Sequence, residues 1–91
     1  MLTVRYSNYF EKDYKLMKKR GYKIELLHEV VEMLANRKPL PEKCRDHFYL
    51  ETISGYRECH IQPDWLLIYR IDKDKLILIA FRTGSHADLF K

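Results

Sequence analysis

Three of the four histidines in this 91-residue sequence fall in its second half: His47, His60 and His86. Around them stand Arg57, Glu58, Asp64 and Arg82. Histidine exchanges a proton near neutral pH, and a carboxylate can accept a proton or orient the imidazole that does. Arginine offsets anionic charge. These residue types suit metal-independent cleavage of RNA. In that chemistry the 2′-hydroxyl loses a proton and attacks the adjacent phosphorus, the leaving 5′-oxygen gains a proton, and a cation stabilises the charged phosphorane. The same residue types also fit a solvated sheet face carrying structural histidines.

Other chemistries fare worse. Side chains alternate across a strand, so the adjacent Cys59 and His60 point apart and cannot share one ion. Cys44 and His47 have a C-x-x-H spacing, but no second pair completes four ligands. No metal or cofactor is expected. The same alternation groups Tyr56, Glu58 and His60 on one face and Arg57, Cys59 and Ile61 on the other. Cys59 is therefore expected in the core, where a thiol is inert. His28, with Glu25, Glu29 and Glu32 nearby, reads as a surface histidine.

The elements that must position these residues follow from periodicity. "LTVRYS" alternates as a first strand. Asn8 precedes Glu11 by three residues, an N-cap pair of the capping-box kind. Phe10, Tyr14 and Met17 then recur at helical spacing, with Lys12, Asp13, Lys15, Lys18 and Lys19 on the other face, and Gly21 ends the helix. A second helix is predicted over Tyr22 to Ala35, with Ile24, Leu27, Val30, Val31 and Leu34 along one side. Pro39 and Pro41 make "NRKPLPEKCRDH" an extended, exposed connection leading to His47. "GYRECHI" reads as strand, Pro63 breaks it, and "DWLLIYRI" reads as a central strand covered on both faces. "DKDK" is a hairpin turn, "LILIAF" the returning strand, and "RTGSHADLF" turns at Gly84 into a short helical end.

The order β-α-α-β-β-β predicts an α+β fold: an N-terminal strand and a helical hairpin packed on one face of a mostly antiparallel sheet of about four to five strands. Residues 1–91 are expected to form a single domain, since this length supports one core. No run of 18 apolar residues offers a membrane span. The first ten residues lack the basic and apolar regions of a signal peptide, which makes the cytoplasm the expected location and free thiols the expected state of Cys44 and Cys59. The net charge of +4 is unevenly spread. Residues 1–45 hold 11 Lys and Arg against 6 Asp and Glu, whereas residues 46–91 hold 6 against 7. A basic first half suits a polyanion, an acidic protein partner or an ordinary solvated surface.

Three blocks in this order, "DH" (Asp46–His47), "GYRECHIQPDWLLIY" (Gly55–Tyr69) and "RTGSHADLF" (Arg82–Phe90), resemble the YafQ-type branch of the RelE/ParE toxin superfamily. The spacing matches across the second half of the chain, and the element order over its whole length. The resemblance implies a RelE-like fold and a bacterial type II toxin that cleaves messenger RNA on the translating ribosome. It implies an antitoxin partner, with operator DNA bound only through the toxin–antitoxin complex. It implies an active site of His47, His60, Asp64 and His86, with Glu58 matching the family's acidic position and Phe90 its near-terminal phenylalanine, placed to stack on a base. In this reading His86 is the general acid, Asp64 or His60 the base or its orienter, and His47 binds or polarises the phosphate. Arg82 and Arg57 would offset phosphate charge, although strand parity places Arg57 opposite His60, where it would instead anchor the sheet or the ribosomal contact. Lys15, Lys18, Lys19 and Arg20 would meet ribosomal RNA. The gyrase-poisoning branch lacks a matching histidine set, so the histidines favour cleavage over a different target or an inactive antitoxin-binding module. The family's "D-H-x-L-x-G" start is altered: Tyr49 stands for the leucine and Glu51 for the glycine, so the loop carrying His47 is expected to differ in shape.

Overall fold

The computed structural model describes residues 1–48 and 55–90. Tyr49 and Glu51, where the family pattern is altered, lie outside the described residues. The described strands are β1 (Thr3–Tyr6), β2 (His47–Phe48), β3 (Tyr56–Gln62), β4 (Trp65–Asp72) and β5 (Ile77–Gly84). They form one sheet in the order β1-β5-β4-β3-β2, with β1 parallel to β5 and every other neighbouring pair antiparallel. Helices α1 (Asn8–Lys19) and α2 (Ile24–Ala35) follow β1, and a short α3 (His86–Leu89) follows β5. This is the α+β arrangement that the element order predicts.

β4 is the central strand, and its apolar run is buried from Trp65 to Tyr69. Alternation divides that run between two faces. Trp65, Leu67 and Tyr69 join Cys59, Leu78 and Ala80 in a core shared with Phe10 and Met17 of α1 and Leu27, Val30, Val31 and Leu34 of α2. Full burial of such a side chain stabilises the fold by about 1.5–3 kcal/mol. Leu66 and Ile68 lie on the opposite face and are also buried. Leu66 pairs across the sheet with His60 and Gly84, and Ile68 with Glu58 and Arg82. An apolar centre thus lies among the polar side chains of the face turned away from the main core.

Local structure differs from the expectation at four places. The N-cap of α1 is Ser7, not Asn8: the Ser7 hydroxyl accepts the Phe10 N–H at 2.9 Å and donates to the Phe81 carbonyl. Tethering to β5 fixes the cap one residue earlier. α2 begins at Ile24 because Tyr22 belongs to the preceding turn. There the Tyr22 N–H bonds the Met17 carbonyl and the Gly21 N–H bonds that of Lys18, a Schellman closure with Gly21 at φ 83°. The proline-rich connection is not fully extended or exposed, since Glu42–Cys44 form a 3₁₀ turn that buries Cys44. Finally, Asp13 does not simply face solvent; it binds β5, as described below. Both cysteines are free thiols. Among the described residues, no helix is long and apolar enough to cross a membrane.

Candidate active site

β3 brings the first two site residues together. Its register places His47 of β2 opposite Glu58, and Glu58 opposite Ile68 of β4. The Glu58 carboxylate stands 3.3 Å from Nε2 of His47. Nδ1 of His47 meets the Arg45 carbonyl, which can only accept, so Nδ1 carries the hydrogen of that bond. Arg45 presents this carbonyl from a left-handed backbone conformation at φ 49°. When Nε2 is also protonated, the ring donates in both directions.

His60 follows on the same face of β3. Just after it the β3–β4 register shifts between His60 and Gln62, and Pro63 and Asp64 form the turn. Nδ1 of His60 lies 3.2 Å from the Pro63 carbonyl. That bond places the hydrogen on Nδ1, so Nε2 of the neutral ring keeps its lone pair.

Asp64 then reaches His86 at the start of α3. Its Oδ1 accepts from Nδ1 of His86 at 2.7 Å and from the His86 backbone N–H at 3.1 Å. Those two bonds, the side-chain one foremost, hold the Asp64 carboxyl below the usual carboxylate range. The ionised carboxylate fixes the tautomer and direction of His86, placing the hydrogen on Nδ1 and turning Nε2 away from Asp64.

The histidine rings form a row. Ring centroids lie 6.4 Å apart for His47 and His60, and 5.8 Å for His60 and His86. Phe90 extends the row, 5.9 Å beyond His86. Arg82 shares a sheet row with Ile68 and Glu58, but its guanidinium is engaged by Asp13, bonding its two carboxylate oxygens at 2.7 and 3.1 Å. It also lies 5.7 Å from the Tyr9 ring centre.

Arg57 does not join the row. Alternation puts it on the face of Cys59, where its Nε donates to Asp46 at 3.2 Å. The same Asp46 oxygen accepts the Tyr69 hydroxyl at 2.6 Å. Arg57 therefore anchors the residue before His47 and does not point at a phosphate site. Cys59 is fully buried, and burial pushes its thiol well above the ordinary thiol value. His28 is exposed, with Nε2 3.2 Å from the Tyr14 hydroxyl. Lys15, Lys18 and Lys19 are exposed along α1, whereas Arg20 is paired with Asp88 of α3 at 2.8 Å.

Sequence reasoning missed Asp13, Asp46 and Asp88. For Asp13 and Asp88 the partners lie 69 and 68 residues away, beyond any local pattern. Asp46 bonds Arg57 and Tyr69, 11 and 23 residues further on, and only the paired strands bring them to it.

The fold and this site define a small α+β protein with an Asp–His pair and two further histidines at one sheet face, and a near-terminal phenylalanine beside them. The chain belongs to the YafQ family, bacterial toxins of type II toxin–antitoxin systems, whose family model matches residues 2–91. It is 42% identical over 88 residues to the mRNA interferase toxin YafQ of Escherichia coli strain B/BL21-DE3, covering 96% of this chain and 94% of that one. The YafQ chain of the E. coli DinJ–YafQ complex superposes with a TM-score of 0.92 at 38% identity, covering 100% of both chains. A metal-bound toxin from Helicobacter pylori matches with a TM-score of 0.94 at 43% identity, covering 99% of this chain and 100% of that one. Among the described residues of the present chain, no group of three His, Cys, Asp or Glu side chains is placed to hold a metal ion.

Proposed function

We propose that this protein, as a single toxin domain over residues 1–91, is a ribosome-dependent mRNA endoribonuclease that arrests translation in the bacterial cytoplasm. Its relatives in E. coli are named mRNA interferase toxins, and one of them is seen in complex with DinJ. A cognate antitoxin is the corresponding partner here, and operator DNA is bound only through the toxin–antitoxin complex.

The observation that carries this reading is the 2.7 Å Asp64–His86 pair, one ring spacing from His60. An imidazole oriented through Nδ1 presents Nε2–H to a leaving 5′-oxygen, so His86 is the general acid and Asp64 its orienter. His60, whose Nε2 keeps a lone pair when neutral, takes the proton of the 2′-hydroxyl. For His47 to bind the phosphate, its Nε2 exchanges Glu58 for a phosphate oxygen, since Nδ1 is held by the Arg45 carbonyl. The charge that Arg82 brings to this face is shared with Asp13. Phe90 offers a stacking surface for a base next to His86. The 2′-hydroxyl forms the new bond to phosphorus as the bond to the 5′-oxygen breaks. The products are a 2′,3′-cyclic phosphate and a free 5′-hydroxyl, with the proton taken by His60 and the proton given by His86 in balance.

Expression in bacteria with primer extension on cellular messages tests the reading. The wild-type chain is expected to arrest growth and create new 5′ ends inside coding regions, only while translation runs. His86→Ala and His60→Ala are each expected to lower cleavage by about 100- to 10,000-fold, the usual contribution of a general acid or base. Equal toxicity of the double variant, or cuts in untranslated message, would assign the protein another target.

A further inference from the structure

Asp13 and Arg20 lie seven positions apart, about two turns along α1. Each meets a residue of opposite charge on the segment that carries His86. Asp13 binds Arg82 through both carboxylate oxygens at 2.7 and 3.1 Å. Arg20 donates to both oxygens of Asp88 at 2.8 and 3.2 Å.

The two carboxylates also hold the backbone on either side of Gly84. Asp13 accepts the Thr83 N–H at 3.2 Å, and Asp88 accepts the Ser85 N–H at 3.0 Å. Ser85 completes the corner by accepting the Asp88 N–H at 3.2 Å, a capping box for α3. Gly84 favours this approach: a Cβ there would lie 3.0 Å from Cβ of Asp88 and 3.2 Å from its Oδ2, closer than ordinary van der Waals contact. The charge order is acid then base along α1, and base then acid along the segment it grips. A shift of one element past the other by two turns would set like charges together, so the pattern fixes the register.

We propose that Asp13 and Arg20 are positioning residues: α1 clamps the Thr83–Asp88 segment and so sets His86 against Asp64. This rests on the reading of His86 as catalytic, and it gives Arg20 a role other than RNA contact. A lone exposed ion pair contributes little to stability. Here both pairs are two-point contacts, and both carboxylates also bind backbone amides, so they act on geometry. Displacing a catalytic group by about 1 Å can lower a rate about 100-fold.

The test uses the full chain as Arg20→Ala, Arg20→Lys, Asp13→Asn, Asp88→Asn and the Arg20→Ala/Asp88→Asn double variant. Three quantities are read: kcat and KM on message-programmed ribosomes, amide hydrogen exchange over residues 83–90, and the thermal unfolding midpoint. Arg20→Ala is expected to lower kcat about 10-fold or more, with KM within about two-fold of wild type, since the lost interaction is not a binding contact. Exchange at Leu89 and Phe90 is expected to quicken. Arg20→Lys is expected to recover part of kcat, and the double variant to match Asp88→Asn, as residues acting through one contact do not add. If Arg20→Ala fails to fold, Arg20→Lys and Asp13→Asn carry the same comparison. A raised KM with unchanged kcat and exchange would make Arg20 an RNA contact and overturn the clamp. If the wild type cleaves nothing, the ribonuclease reading falls, while the exchange data still decide the clamp: unchanged exchange in Arg20→Ala overturns it.

Discussion

Asp88 joins charge, capping and backbone at one side chain. The Arg20 bond, reinforced by Ser85, holds its carboxyl down at about 2. In the unfolded chain an aspartate protonates near about 3.9. Asp88 thus stays ionised in the folded protein at pH values where it is protonated in the unfolded one. Its contribution to stability is fully present above the unfolded value and is lost as pH falls towards 2. Acid unfolding followed by circular dichroism is therefore expected to be shallower in Asp88→Asn between about pH 4 and pH 2. An unchanged slope would mean that the Arg20 bond does not form in solution. At this scale the sequence was legible where strand alternation operates. It separated Glu58 and His60 from Arg57 and Cys59, and the structure keeps them apart. It was silent on Asp13, Asp46 and Asp88, because a carboxylate's partner across the fold leaves no mark in its neighbours.

Between elements, the join of β4, β5 and α3 decides where His86 stands. Thr83 is buried, accepts the Trp65 indole N–H at 2.9 Å and donates to the Leu66 carbonyl at 2.7 Å. Thr83→Val keeps the shape but leaves both groups without that partner, and is expected to cost about 1–3 kcal/mol. A lowered urea midpoint with an unchanged m-value would report this, and an unaltered midpoint would contradict it. The strands and helices themselves were readable from periodicity and turn residues, and their order pointed to the fold. Their ends were not. The Ser7 cap depends on a carbonyl of β5, and the start of α2 depends on the closure around Gly21. The 3₁₀ turn over Glu42–Cys44 escaped notice because two prolines signal extended chain whether or not a buried cysteine follows.

Taken as one body, the molecule pairs an open histidine face with a basic helix. Lys15, Lys18 and Lys19 are exposed along α1, whose C-terminal end touches α3 through Arg20. Phosphate contacts release counterions, each contributing about 0.7–0.9 to the slope of log affinity against log salt. Replacing the three lysines by glutamine is expected to weaken ribosome binding and lower that slope by about 2 to 3, with fold stability unchanged. An unchanged slope would place the RNA contact elsewhere. The charge imbalance behind this prediction is visible in composition, whereas the withdrawal of Arg20 from the basic set is visible only in the fold.

In the proposed reaction the RNA supplies its own nucleophile while His60 and His86 move the protons. Purified protein acting on ribosomes programmed with a defined message tests it most directly. The message is compared with a copy carrying one 2′-deoxynucleotide at the cut position. Cleavage of the natural message is expected to leave a 2′,3′-cyclic phosphate and a 5′-hydroxyl, and the deoxy copy to remain intact at that position. Cleavage of the deoxy copy at a comparable rate would mean that water or a side chain attacks the phosphorus, and would contradict the account.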